Sequence, residues 1–444
     1  MQIQKIAPCP PMVIASATPL LFPTPIFAAR AHVKADDPGD ISLLQALSGA
    51  LAATIGVGNI SGVAVAITMG GPGAIFWMWM SAIVGMATKF FTCSLAIMYR
   101  GKDSKGDLQG GPMYVVQEGL GKSWKPLAAF FCLAGMVGCF PIFQANQLTQ
   151  VVRDVILIPN QIVDPNNTFN SDLISGIVIT IMVSVVIFGG IKRIAKVAES
   201  LVPAMVILYV IASLIIIFIN FSAIPASFSL IITDAFTGNA VLGGALGQII
   251  IVGVKRAAYS NEAGIGTAPM MHGAAKTKEP IREGLVAMLG PFIDTIVVCT
   301  MTALTILVTG VWKTGSDNGV TLTSNAFEQA LPGVGSYILV LCIFTFAITT
   351  LFSFSYYGTK CFGYLFGAEN QFYYNILYVA SIIFGAVTTI EAAVGLIDGM
   401  YALMAIPTMV SSLILAPKVV KAAQDYFRRM KQEEQETRGS VNAG

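Results

Sequence analysis

Two stretches set glycine and polar residues inside runs that are otherwise apolar. The first is Thr54-Ile55-Gly56-Val57-Gly58-Asn59-Ile60-Ser61-Gly62, in the middle of the run Leu43–Met69. The second runs from Lys255 to Pro269 and contains Tyr259-Ser260-Asn261-Glu262-Ala263-Gly264-Ile265-Gly266. Residues of these types suit binding. Backbone N–H and C=O groups released from a helix ladder hold an anion at a half-helix N-terminus and a cation at a half-helix C-terminus. They do not suit catalysis. The chain has two histidines, His32 and His272, and seven cysteines with no metal-type spacing, so it offers neither a metal cluster nor a His-based triad. Ser260 with His272 lacks a third member and an oxyanion hole. The sequence is not read as an enzyme.

The elements that position these stretches are membrane spans. About 20 apolar residues at about 1.5 Å rise cover the roughly 30 Å hydrocarbon core, and Leu43–Met69 is long enough. Each glycine in its middle costs about 1 kcal/mol against alanine in a continuous helix. Taken alone, the stretch fits close helix packing, which small residues favour in membranes, as well as it fits a binding break. Composition supports the membrane reading: 55% of the 444 residues are apolar and 11% charged, against about 25% charged in a soluble domain. A net charge of +2 gives no footing for nucleic acid.

Ten spans follow, at approximately Leu43–Met69, Ala74–Met98, Leu127–Val152, Ile174–Gly189, Leu201–Phe221, Asn239–His272 (interrupted), Leu285–Val308, Ser336–Phe362, Phe372–Ile390 and Gly395–Ala416. One interrupted span opens the first five and the other opens the second five. Five is odd, so the halves have opposite topology. Interrupted helices at matching positions of two halves point to a solute site between inverted repeats, and this favours binding over mere packing. The expected fold is therefore an all-α polytopic membrane protein. Its ten core transmembrane helices form two inverted five-helix repeats, with broken first and sixth helices.

The basic residues test this topology. With the segment before span 1 placed inside, most of the 26 lysines and arginines fall inside. Only Arg153 and Lys313 fall outside, while Lys89, Lys255 and Arg256 lie within spans. The positive-inside rule thus selects cytoplasmic termini for the ten-span core. Residues 1–40 form an N-terminal segment of unsettled state. Its apolar stretch Met12–Ala29 is interrupted by Pro19, Pro23 and Pro25 and has a faint signal-peptide look. Residues 41–418 form the transporter domain. Residues 419–444 are a polar cytoplasmic tail, read as a frayed helix or disordered.

Several motifs then carry a resemblance. They are Gly56-Val57-Gly58-Asn59-Ile60-Ser61-Gly62-Val63-Ala64, Gly70-Gly71-Pro72-Gly73-Ala74, Gly110-Gly111-Pro112-Met113-Tyr114, Phe143-Gln144-Ala145-Asn146, Lys255-Arg256 with Ser260-Asn261-Glu262-Ala263-Gly264, and Phe292-Ile293-Asp294-Thr295. Their order, from about Gly39 to Ala416, resembles the sodium:alanine (and glycine) symporter family of amino-acid carriers. The resemblance implies a leucine-transporter-like fold and sodium-coupled symport of a small neutral amino acid, alanine or glycine. It places the chain in a bacterial or archaeal cytoplasmic (inner) membrane. The coupling ion would be Na⁺, with no organic cofactor. The partners would be the small amino-acid substrate and the lipid bilayer, with no nucleic acid and no obligatory protein partner.

By the same resemblance, the N–H groups of Gly56, Val57 and Gly58 are expected to hold the substrate carboxylate. The carbonyls of Ala52, Thr54 and Ile55 would hold sodium, with the Asn59 side chain touching both ion and substrate. Thr349 and Thr350 are candidates for a second sodium, against the alternative that they bond their own helix backbone. Gln144, Tyr259, Ser260 and Asn261 are candidates for the substrate's polar groups, and Phe354 for the pocket wall. The chain departs from the family pattern at Phe354 (tryptophan), Ser353 (glycine), Tyr259 (phenylalanine) and Ala257 (glycine), which bears on substrate size. The alternative is a proton-coupled amino-acid carrier, for which the two motifs offer only Glu262. Of the charges inside spans, Lys89 is expected to snorkel. Lys255, Arg256 and Glu262 flank the second break, and Asp294, Glu391 and Asp398 are candidates for pairing across helices.

Overall fold

The computed structural model describes residues 37–237, 245–313 and 319–442. The expected N-terminal apolar stretch Met12–Ala29 lies outside them. The chain is overwhelmingly helical; the described residues hold one two-stranded antiparallel hairpin, pairing Gly101↔Gln109 and Lys102↔Leu108. Helices stand at every expected span, with shifted ends. Among the described residues, seven helical runs are long and apolar enough to cross a membrane: Ala74–Met98, Lys122–Leu157 (interrupted between Gly138 and Ile142), Phe169–Ile187, Gly190–Ile219, Pro280–Thr309, Gly335–Phe366 and Ile390–Gln432. An eighth candidate is the pair Leu43–Thr54 and Val57–Gly70, bent by 58°. The helices Ala245–Asn261 and Gln371–Val387 stand at spans 6 and 9, with 17 residues each.

The segment expected to be a frayed or disordered tail continues the last helix to Asn442. Val419, Ala423 and Tyr426 are buried there against Phe90, Leu285 and Leu415, so the apolar stripe of this stretch has a partner despite its charge. Six cysteines are buried, as small apolar residues often are.

Two features hold the ends of the broken helices. Arg100 donates to the carbonyls of Gly273 (2.8 Å), Thr277 (3.2 Å), Pro38 (3.1 Å) and Ala275, tying the chain before span 1 to the loop after span 6. The buried Lys360 donates to the Met270 carbonyl at 3.1 Å, and so caps the C-terminal end of the short helix Thr267–His272. A cation at a helix C-terminus is favoured by its partial negative charge.

Lys89 corrects an expectation. Its side chain is 1% exposed and does not snorkel. It lies across Gly290, whose hydrogen-sized side chain makes room for it: a Cβ there would lie 3.0 Å from Lys89 Nζ.

Candidate functional site

The first break begins where helix Leu43–Thr54 ends. Ile55 and Gly56 are extended, a 3₁₀ turn covers Val57–Asn59, and a second helix starts at Ser61. Glycine is required at two of these positions by close approach. A Cβ on Gly56 would lie 2.6 Å from Thr350 Oγ1, and one on Gly58 2.8 Å from Tyr259 Cε1. The missing side chains let spans 6 and 8 come onto the backbone of span 1.

The second break follows Asn261. Glu262 (φ 54°), Gly264 (φ 86°) and Gly266 (φ 109°) take left-handed conformations, after which Thr267–His272 resumes as a helix. Glu262 is a non-glycine residue in a region that costs energy, which marks a position held by its surroundings. Its carboxylate accepts from Thr267 Oγ1 (2.5 Å) and Tyr401 OH (3.4 Å). Asn261 accepts from the Ala263 N–H (3.0 Å) and donates to Thr295 Oγ1 (3.1 Å), so both ends of its amide hold the break.

Between the breaks sits a polar cluster supplied by span 7. There the helix loosens into π-helical turns over Phe292–Cys299, a distortion frequent at functional sites. Asp294 is fully buried. It accepts from Asn59 Nδ2 at 2.7 Å, from Thr295 Oγ1 at 2.9 Å and from Ser260 Oγ. Its bond to Asn59 orients that amide: Nδ2 faces span 7, and Oδ1 turns to the break, where it accepts from the Gly56 N–H at 3.0 Å. With that N–H diverted, the Ala52 carbonyl loses the i+4 donor of a continuous helix. The N–H groups of Val57 and Gly58 donate to no acceptor among the described residues.

The remaining candidates divide. Gln144 and Tyr259 are buried, and both Gln144 Oε1 and the Tyr259 hydroxyl lack a hydrogen-bond partner; so do Thr54 Oγ1, Ser353 Oγ and the Tyr357 hydroxyl. Buried polar atoms without partners are rare and costly, and each asks for an explanation. The Tyr259 ring meets Phe143 edge-on at 5.2 Å and lies beside Tyr401 at 6.1 Å. Thr350 and Thr349 part company. Both donate to backbone carbonyls of their own helix, but Thr350 faces Gly56 while Thr349 reaches Met205 of span 5. Phe354 is buried on span 8, with its ring beside Tyr357 at 6.1 Å. Ser260 is engaged by Asp294, Thr295 and Cys299.

Asp294, Thr295 and Cys299 complete the cluster around Asn59 and were not among the expected site residues. The signal for Asp294 was present, since a carboxylate amid the apolar run Leu285–Val308 is costly and marks function by default. Nothing in the sequence says that it meets Asn59.

The two ends of the bundle differ. On the side away from the basic loops, Arg256 pairs with Asp398 at 2.9 Å and its guanidinium lies 5.6 Å from the Tyr259 ring centre. The helix Val320–Ala330 closes onto the same region through Thr323 Oγ1, 3.5 Å from the Ile60 carbonyl. On the side of the basic loops, a cavity of about 420 Å³ is lined by Asp40, Asp103, Lys192, Ser355, Tyr356 and Lys360. It reaches residues next in sequence to Phe354 but not the breaks themselves.

The profile of the Sodium:alanine symporter family matches residues 21–440. An uncharacterised transporter of Haemophilus influenzae is 42% identical over 404 residues, covering 88% of this chain and 85% of its own. The sodium/alanine symporter AgcS of Methanococcus maripaludis is 40% identical over 410 residues, covering 90% and 88%. Among solved structures, the crystal structure of MhsT in complex with L-phenylalanine aligns with a TM-score of 0.61 at 13% identity, covering 85% of this chain and 89% of that one. That likeness shows a shared fold, the leucine-transporter type expected above.

Proposed function

The chain belongs to the sodium:alanine symporter family, and from that premise we propose that it carries alanine or glycine together with Na⁺ across a cytoplasmic membrane by alternating access. The observation that carries the proposal is the convergence on the first break of unpartnered polar groups. The Val57 and Gly58 N–H groups belong to the break itself, the ring of Tyr259, whose hydroxyl is unpartnered, packs on Gly58, and Gln144, with Oε1 unpartnered, follows Phe143, whose ring meets Tyr259. Their desolvation is offset when a zwitterion bonds to them. The substrate carboxylate goes to the N–H groups of Gly56, Val57 and Gly58, ahead of helix Ser61–Gly70, where the dipole favours an anion. The Tyr259 ring lies over Gly58 and is backed by Phe143, which favours a small substrate side chain.

Sodium takes oxygen ligands from the Ala52, Thr54 and Ile55 carbonyls, the Thr350 hydroxyl and Asn59 Oδ1, with the Asp294 carboxylate behind Asn59. Asn59 supplies a route for coupling. Its Oδ1 holds the Gly56 N–H; a cation that draws Oδ1 away frees that N–H for the substrate carboxylate. Each ligand then tightens the other by the same factor. The ten helices are two inverted five-helix halves, the breaks open each half, and the basic loops face the cytoplasm. Rocking of one bundle against the other exchanges the closed side, at Arg256–Asp398, for the side with the cavity.

A proton-coupled carrier is the second reading. Two buried carboxylates, Glu262 and Asp294, near the breaks favour it. Uptake of labelled alanine and glycine into proteoliposomes separates the two. Accumulation driven by an inward sodium gradient, and lost when potassium replaces sodium, supports the symporter. Accumulation that survives without sodium and collapses with the pH gradient supports the proton carrier. A chain that accumulates neither amino acid under either gradient refutes the substrate assignment.

A further inference from the structure

We propose that Gln147 is a positioning residue: its hydrogen bond to Ser61 holds the outer half of span 1 against span 3 and so keeps the first break closed on the side away from the basic loops. This rests on the alternating-access reading above, and it names a contact that parts when the carrier opens outward.

The bond is well defined. Ser61 opens the helix Ser61–Gly70, the outer half of span 1, just after the turn that carries Asn59. Its hydroxyl donates to Gln147 Oε1 at 2.8 Å, and both side chains are fully buried. Gln147 lies one turn after Gln144 on the helix Ile142–Val152. The other end of its amide is also engaged: Nε2 donates to Asn146 Oδ1 at 3.0 Å and to Gln150 Oε1 at 2.9 Å. With Nε2 committed to two oxygens, Oε1 is the end left for the hydroxyl. No ionisable side chain takes part.

The two sides of the bond are anchored differently. On the Gln147 side, Asn146 Nδ2 donates at 2.7 Å to the carbonyl of Thr388, which caps the helix Gln371–Val387 of span 9. That helix packs directly on the backbone of span 3, since a Cβ on Gly385 would lie 2.7 Å from the Ile142 carbonyl oxygen. Ser61, by contrast, follows the break, where span 1 bends by 58°. Residues at the end of an element can absorb the backbone rotation of a hinge, so the outer half-helix is the side free to swing.

The bond also lies under the outer cover of the site. Gly319, ahead of the helix Val320–Ala330, comes down onto it: a Cβ there would lie 3.0 Å from Ser61 Oγ and 3.3 Å from Gln147 Oε1. In the same helix Thr323 Oγ1 stands 3.5 Å from the Ile60 carbonyl. The cover therefore rests on the Ser61–Gln147 contact, and moving Ser61 away from span 3 removes the surface on which it sits. Closed, the bond leaves neither group unpaired; opened, water can take both ends, so the exchange costs little.

The test reads both sides of the membrane. Thr323→Cys places a thiol beneath the outer cover, and Ser355→Cys places one in the cavity on the side of the basic loops. Each reporter is combined with Ser61→Ala, Gln147→Met or both. The chains are labelled with a membrane-impermeant methanethiosulfonate in vesicles of known orientation, against the same chains without the reporter. One neutral hydrogen bond is worth about a fivefold shift between two states. Labelling of Thr323→Cys from outside is expected to quicken about fivefold in each single variant and no further in the double, because both remove the same bond. Labelling of Ser355→Cys from the other side is expected not to rise. Equal acceleration at both reporters, a wild-type rate in Ser61→Ala, or additive effects in the double variant overturns the proposal. Absence of alanine transport by the wild type would instead overturn the functional reading, and the reporters would still decide on the contact. Should Gln147→Met fail to fold, Ser61→Ala, which removes a single oxygen, decides.

Discussion

Gly58→Ala adds a single methyl group at the point where the first break meets Tyr259. The new Cβ would stand 2.8 Å from Tyr259 Cε1 and 3.1 Å from Cδ1. Carbon atoms are comfortable at about 3.5–4.0 Å, so the ring must retreat by roughly 0.7 Å or more. It has little room. Phe143 stands edge-on at 5.2 Å, Tyr401 lies at 6.1 Å, and the Arg256 guanidinium, held by Asp398, is 5.6 Å from the ring centre. Gly58 is not in a left-handed conformation, so the methyl group rather than the backbone is the perturbation. Overpacking of this kind costs about 1–3 kcal/mol. At about 1.4 kcal/mol per factor of ten, initial uptake of alanine should fall roughly 5- to 150-fold.

Gly62 supplies the control. A Cβ there lies 3.8 Å from Tyr259 Cδ1, an ordinary contact, and the position is helical, where alanine is favoured by about 1 kcal/mol. Gly62→Ala should keep uptake within about threefold of wild type, since the added methyl group, though buried, meets its nearest neighbour at ordinary contact distance and overpacks nothing. The assay is sodium-driven uptake of labelled alanine, read with the melting temperature of each purified variant. A Gly58→Ala protein that transports like wild type, or a Gly62→Ala protein equally damaged, would refute the close approach of Tyr259 to the break.

Tyr259→Phe removes a buried hydroxyl that has no partner. Leaving such a group unsatisfied costs about 1–3 kcal/mol, so the variant should melt higher while its KM for alanine rises about tenfold; a raised melting temperature with unchanged KM would take Tyr259 out of the binding site. Asp398→Asn leaves Arg256, whose side chain is 8% exposed, without its counter-charge. Breaking a buried pair costs about 3–5 kcal/mol, and the 32% exposure of Asp398 lowers this toward about 1–2 kcal/mol. Uptake should fall in Asp398→Asn and in Arg256→Gln, and recover largely in the exchanged pair Arg256→Asp/Asp398→Arg. Independent effects with no recovery would show that the pair does not hold the closed side.

The spans were legible because the bilayer imposes a local rule: a stretch must be long and apolar where it sits, whatever it packs against. The same rule exposed both breaks, since glycine with Asn59, or Ser260 with Glu262, contradicts a continuous helix wherever it occurs. The last helix was legible only to its polar boundary. Its continuation is stabilised by Tyr426 and Val419 meeting Phe90 and Leu285, contacts that charge composition does not report.

What the sequence determined by itself, then, is where the helices lie, where two of them break, and the family. Tertiary structure alone decided who meets whom at the breaks. Asn59 finds Asp294 across 235 residues, and that contact, absent from any local pattern, settles which end of the amide faces Gly56. Thr349 and Thr350 are adjacent and chemically identical, yet one faces span 5 and the other the break, because a helix turns about 100° per residue and only packing fixes its rotation. Lys89 gives the sharpest case. Whether a lysine snorkels or is buried depends on the depth and rotation of its helix within the bundle, and those are set by neighbours such as Gly290 that lie far away along the chain.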